Sequence, residues 1–119
     1  MAEGIVAGGE VFDLDGVMRR LDRDDALFRE LVEVFREEQP KLDGVLSHAV
    51  FKQDCDAVML HAHSLKGALG NVGAVRASGV ARALEAAGRG ADTVRFTVLL
   101  AELQAEIRVY LAELSQRGY

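Results

Sequence analysis

From residue 54 onward the chain repeats apolar residues at intervals of three and four. At ~100° per residue, Val58, Ala62, Leu65, Leu69 and Val72 fall on one narrow arc, so this stretch reads as an amphipathic helix from about 54 to 72 with that stripe inward. Asp54 is placed to cap its start, and Asp56 in the first turn has the sign that the helix dipole favours there. A further helix is expected over about 74 to 87, with Ala77, Val80, Leu84 and Ala87 inward, stopping in the stretch GRGAD. After a candidate cap at Asp92, the residues Phe96, Leu99, Leu103, Ile107, Tyr110 and Leu114 continue the spacing as the seam of a bundle core. Upstream, a short amphipathic piece covers 13 to 21. A longer one starts near Asp24, with Leu27, Leu31, Val34 and Phe35 on its expected inner face, then Leu42, Val45, Leu46 and Ala49 beyond Pro40. Because proline lacks a donor and clashes with the preceding turn, a kink or break is expected over Glu38 to Pro40.

Strand-type alternation is absent over any useful length. Helices of similar length joined by short links predict an all-α fold, an antiparallel four-helix bundle with a short extra N-terminal helix. At 119 residues the chain suits one domain with one core, expected over 12 to 117 after a flexible, glycine-bearing leader over 1 to 11.

Charge then narrows the partners. Fourteen basic against nineteen acidic residues leave −5, the wrong sign for a protein that lives on phosphate backbones, so no nucleic acid is expected. No run approaches the ~18 apolar residues of a membrane span, and the opening MAEGIVAGGEVF has no basic residue before its apolar run, as a signal peptide would. A cytoplasmic protein without membrane contact is expected. Cys55 has no second cysteine to pair with and reads as a reduced, buried thiol.

The segment HAHSLKGALGNVGA carries the candidate chemistry. His63 lies about 140° from the centre of the core stripe and should point outward. Gly67 and Gly70 share its side, although each interior helix glycine costs roughly 1 kcal/mol relative to alanine. Their use is access: without side-chain bulk, another macromolecule can press against the helix and reach the ring. Met59 and Leu60, one turn earlier, would supply apolar docking area, and Lys66, about 60° round, would stabilise added negative charge. A phosphoryl group fits that description. A free imidazole, with a pKa of about 6.5, is a competent neutral nucleophile near pH 7. Phosphoryl transfer asks mainly for in-line positioning and nearby cations.

Other chemistries find less support. The glycine spacing matches neither a dinucleotide fingerprint nor a P-loop, which argues against nucleotide binding and kinase activity. His61 projects about 160° from His63 toward the core edge, and a spacing of two is wrong for paired helix ligands, so no metal site is expected. His48, in another helix, has no evident partner. Arg76 and Arg82 are candidates for a basic rim near His63.

At these residues the sequence resembles the histidine-containing phosphotransfer (HPt) domains of phosphorelays. Their motif, a histidine, any residue, then Leu-Lys-Gly with a later Gly-Ala pair, stands here as AHSLKG, Ala62 to Gly67, with Gly73-Ala74 closing the helix. The flanking runs ALFRELVEVFREEQPKL and ARALEAAG are also similar to that family. The resemblance implies a helical bundle whose outward histidine accepts a phosphoryl group from a receiver-domain aspartate, or from a kinase, and passes it to another receiver. By position His63 is phosphorylated, Lys66 acts electrostatically and Gly67 gives access. The implied partners are response-regulator receiver domains and a sensor or hybrid histidine kinase. The chain would then be a monomeric phosphoryl carrier, not an enzyme, with no cofactor of its own and Mg2+ supplied by the receiver. One departure is Asp22-Arg23-Asp24-Asp25, where many members carry a Gly-Asp pair before the second helix. The initiator methionine and leader favour a free-standing protein over a piece of a hybrid kinase. The rival reading is a helical adaptor that docks receiver or kinase domains without being phosphorylated.

Overall fold

Asp13, Asp24 and Asp54 each start a helix by the same device, a side chain accepting the backbone N–H three residues on, from Gly16, Leu27 and Ala57. In the computed structural model, which describes residues 9–119, they open α1 (Leu14–Arg20), α2 (Asp25–Phe51) and α3 (Cys55–Asn71). Two more follow, α4 (Val75–Arg89) and α5 (Phe96–Gln116). The four long helices form the bundle and α1 is the short extra one. Asp24 caps α2 although Asp22 and Arg23, both at left-handed φ of 56° and 61°, replace the more usual pair before it. Asp92 does not cap α5. It precedes a single 3-10 turn over Thr93–Arg95, and its side chain makes no capping bond.

The end of α3 shows why Gly73 is glycine. Ala74 N–H donates to Leu69 O at 2.9 Å and Gly73 N–H to Gly70 O at 3.2 Å, closing the helix with Gly73 at φ 77°. A Cβ there would also stand 2.6 Å from a Val17 methyl, where α1 crosses the end of α3.

The stripes expected on α3 and α5 are all buried, as are Ala77, Val80, Leu84 and Ala87 of α4. On α2 the inner face differs from expectation. Phe28, Val32, Phe35, Leu46, Ala49 and Val50 are buried, whereas Leu27, Val34 and Val45 are exposed. Two parallel apolar runs compete on this helix, and the one carrying Phe28 and Phe35 faces inward because it removes more apolar area from water. Nor does Pro40 break the helix, which runs continuously from 25 to 51. Pro40 is exposed, so the Arg36 carbonyl that it leaves without a donor can turn to water.

Phe12 and Phe35 meet the Tyr110 ring edge-on, and Phe28 stacks on Phe12 behind it; the Tyr110 hydroxyl donates to Val72 O and is pushed by burial well above its usual pKa. This bond ties α5 to the last turn of α3. Val11, the end of the expected leader, packs on the core beside Phe12, the first residue of the expected domain, while residues 1–8 of that leader lie outside the described residues. α3 packs most extensively on α4. Gly88 permits the approach, since a Cβ there would lie 2.7 Å from Met59 N and 3.0 Å from Cys55 O.

Candidate phosphoacceptor site

The close contact of α3 with α4 sets the geometry around His63. The His63 side chain is 62% exposed, and its Nδ1 lies 3.0 Å from Oε2 of Glu85 on α4. Glu85 itself is nearly covered, at 8%. Its Oε1 accepts from Lys66 Nζ at 2.7 Å, and its Oε2 also accepts from Arg89 Nη2 at 3.1 Å. The Lys66 hydrogen bond is the main cause that holds the Glu85 carboxyl below its usual pKa; burial opposes it and the His63 bond adds to it. An ionised carboxylate can only accept. In the neutral form of the ring the proton between the two groups therefore sits on Nδ1 and the lone pair lies at Nε2, which bonds to nothing among the described residues.

The outward face is otherwise bare. Gly67 has no atom within 4 Å of where a Cβ would stand, and Gly70 has only Ser78 Oγ at 3.9 Å. Leu60 is 58% exposed beside them. Met59, expected to be outward too, is half-buried because its backbone lies under Gly88. Lys66 is also half-buried, its ammonium spent on Glu85 and not presented to solvent beside the ring.

The expected basic rim is placed differently. Arg76 pairs with Glu106 of α5 at 2.7 Å. With exposed Arg82, it lines a cavity at the Gly70 end of the α3–α4 contact, away from the ring. The arginine that reaches the histidine site is Arg89. Both Glu85 and Arg89 were missed from sequence, although each left a trace. Glu85 falls between Ala81 and Gly88 on the inward arc of α4, where a carboxylate needs a cation, and Arg89 follows it by four residues.

His61 is half-buried and shares with exposed His48 a cavity of about 320 Å3 between α2 and α3, lined also by Val45, Ala49 and Ala57. Cys55 is half-buried at the start of α3 and not in the core, with Sγ 3.9 Å from Gln53 O. Among the described residues no group of three or more His, Cys, Asp or Glu could hold a metal ion, and no helix is long and apolar enough to cross a membrane.

Comparison with solved structures gives a crystal structure of histidine-containing phosphotransfer protein B (HptB) from Pseudomonas aeruginosa PAO1. The match has a TM-score of 0.82 and 22% identity, covering 94% of this chain and 99% of that one. At that identity the likeness speaks for the fold. No curated protein sequence matches. The family model of the Hpt domain matches residues 30–116, from the first turns of α2 to the end of α5 with the whole histidine site between them. The chain therefore belongs to the Hpt domain family, the histidine phosphotransfer modules of phosphorelays.

Proposed function

We propose that His63 is the phosphoacceptor of this Hpt domain and that Nε2 is the reacting atom. The observation that carries this reading is the Nδ1 contact with Glu85, which fixes the tautomer and leaves an exposed lone pair at Nε2. In the forward step Nε2 attacks the phosphorus of a receiver's aspartyl phosphate. The N–P bond forms as the acyl O–P bond breaks, and the electron pair returns to the receiver's carboxylate. Onward transfer reverses the roles: the carboxylate of a second receiver attacks phosphorus and the N–P pair returns to Nε2. Positive charge that builds on the ring during attack is held by Glu85. Lys66 and Arg89 neutralise that carboxylate, so it does not repel the incoming phosphoryl oxygens.

Gly67 and Gly70 keep the approach open, and Leu60 offers apolar contact beside it. The divalent cation that such a transfer uses comes with the receiver, as do the groups that activate its aspartate. On this account the chain is a monomeric carrier that turns over no substrate alone, works in the cytoplasm, and exchanges its phosphoryl group with receiver domains and a sensor or hybrid kinase.

The test is to mix the chain with a phosphorylated receiver domain and follow the label. Acid-labile label should move to the wild type and not to His63→Gln. Measurable receiver binding without label on the wild type would replace this reading with the non-phosphorylated adaptor.

A further inference from the structure

A chain of net charge −5 gathers three arginines, Arg20, Arg76 and Arg82, around one cavity of about 340 Å3. Their charges are not equally free. Arg76 is neutralised by Glu106. Arg20, reaching over from α1, donates only to the uncharged carbonyl of Gly70, at 3.1 Å. Arg82 is exposed and forms no ion pair among the described residues. Asp13 also lines the cavity, with Oδ1 occupied by the Gly16 N–H, so the site keeps a surplus of one positive charge. That surplus, on two available guanidiniums, suits a single carboxylate better than a polyphosphate.

Position ties the cavity to the histidine. Gly70 follows His63 by seven residues, which is ~10.5 Å along α3 and within about 20° of the same direction. On α4, Arg82 lies one turn from Glu85, toward the cavity. Gly67, with Ser78 and Gly79 at the cavity end, keeps the surface between the two ends low, with open space above Gly67 and Gly79, while the Lys66 side chain is folded across to Glu85. A partner that brings a reactive aspartate to Nε2 must therefore cover this trough and meet the arginines at its far end.

We infer that the cavity is a partner-selecting docking site that takes one surface carboxylate, of Asp or Glu, from the receiver domain whose active-site aspartate faces His63. This inference rests on the phosphoacceptor reading and adds to it a second anchor, remote from the chemistry, that sets which receivers bind.

The experiment is single-turnover label transfer over a series of receiver concentrations, using a receiver domain that phosphorylates the wild-type chain. Arg82→Ala and Arg20→Ala should each raise the half-saturating concentration about fivefold at unchanged maximal rate, in line with loss of a charge-assisted contact at an interface. Arg82→Glu should raise it further, and added salt should shrink all three differences. Arg108→Ala, which removes an exposed charge on the α2–α5 side, should match the wild type. Wild-type half-saturation in the Arg20 and Arg82 variants would overturn the site, as would an equal effect of Arg108→Ala. A lowered maximal rate at unchanged half-saturation would overturn it too. If no receiver that binds the wild type labels it, the phosphoacceptor reading fails, and calorimetric binding of such a receiver to the same variants decides the docking site on its own.

Discussion

Replacing Glu85 by glutamine removes the charge that joins His63, Lys66 and Arg89 while keeping the side chain's size. The structure sets the cost. Lys66 is only 26% exposed, so its 2.7 Å bond counts as a charge-assisted hydrogen bond of about 1.5 kcal/mol. His63 and Arg89 are each 62% exposed, and water and salt reduce their two contacts to about 0.5 kcal/mol together. Glutamine keeps one acceptor and returns about 0.5 kcal/mol. The net loss should be about 1.5 kcal/mol near pH 7, or about 6 °C in Tm for a domain of this length. The pH dependence has a fixed sign. Because the folded Glu85 carboxyl titrates below the usual 4.5, its contribution is present above that value and lost as pH falls through the lower folded pKa. Urea unfolding of the wild type and Glu85→Gln should therefore show the full gap at neutral pH and a gap that closes as the pH is taken below the usual carboxylate range. A difference under about 0.5 kcal/mol at pH 7, or one that does not change in acid, would refute the bridging role given to this carboxylate.

Other substitutions separate what the glycines and the proline do. Gly67→Leu, entering open space, should gain about 0.5 kcal/mol of stability from helix propensity and yet slow phosphoryl transfer at least tenfold; transfer at the wild-type rate would contradict the access role. Gly88→Ala should cost about 2 to 3 kcal/mol in thermal or urea unfolding, because its methyl meets the backbone of α3, and a neutral result would show that α3 and α4 can separate freely. Pro40→Ala should stabilise α2 by about 1 to 2 kcal/mol in the same measurements by restoring a bond to the Arg36 carbonyl; a loss of stability would mean that the proline is held by contacts of its own.

Periodicity was readable where one apolar face stood alone. On α3 and α5 one arc carries an unbroken series of apolar residues, and the apolar residues off it, such as Met59 and Leu60 or Val98 and Val109, form no second series of that length, so the inward face had no equal competitor. α2 carries Leu27, Leu31 and Val34 beside Phe28, Val32 and Phe35 at the same spacing, and only packing against Tyr110 and Phe12 decides between them. Similar limits apply at the site. His63, Gly67 and Gly70 belong to one helix, so their common face follows from the angle per residue. Glu85 and Arg89 come from α4, whose register against α3 is set by the close approach at Gly88, and no spacing within the chain encodes that register. Lys66 was placed on the correct side of α3, but its partner was out of reach of any single-helix argument. The break expected at Pro40 does not occur because the proline is exposed, which makes the missing bond tolerable, and that exposure depends on which face of α2 turns inward.

In the proposed transfer one atom, Nε2 of His63, receives the phosphoryl group. The most direct measurement is NMR of the phosphorylated chain with 15N-labelled histidine, reading the phosphorus–nitrogen coupling and assigning the ring. A single phosphorylated imidazole is expected, His63, coupled through Nε2 with Nδ1 still protonated. Phosphate on Nδ1 of His63, or on His48 or His61, would contradict it.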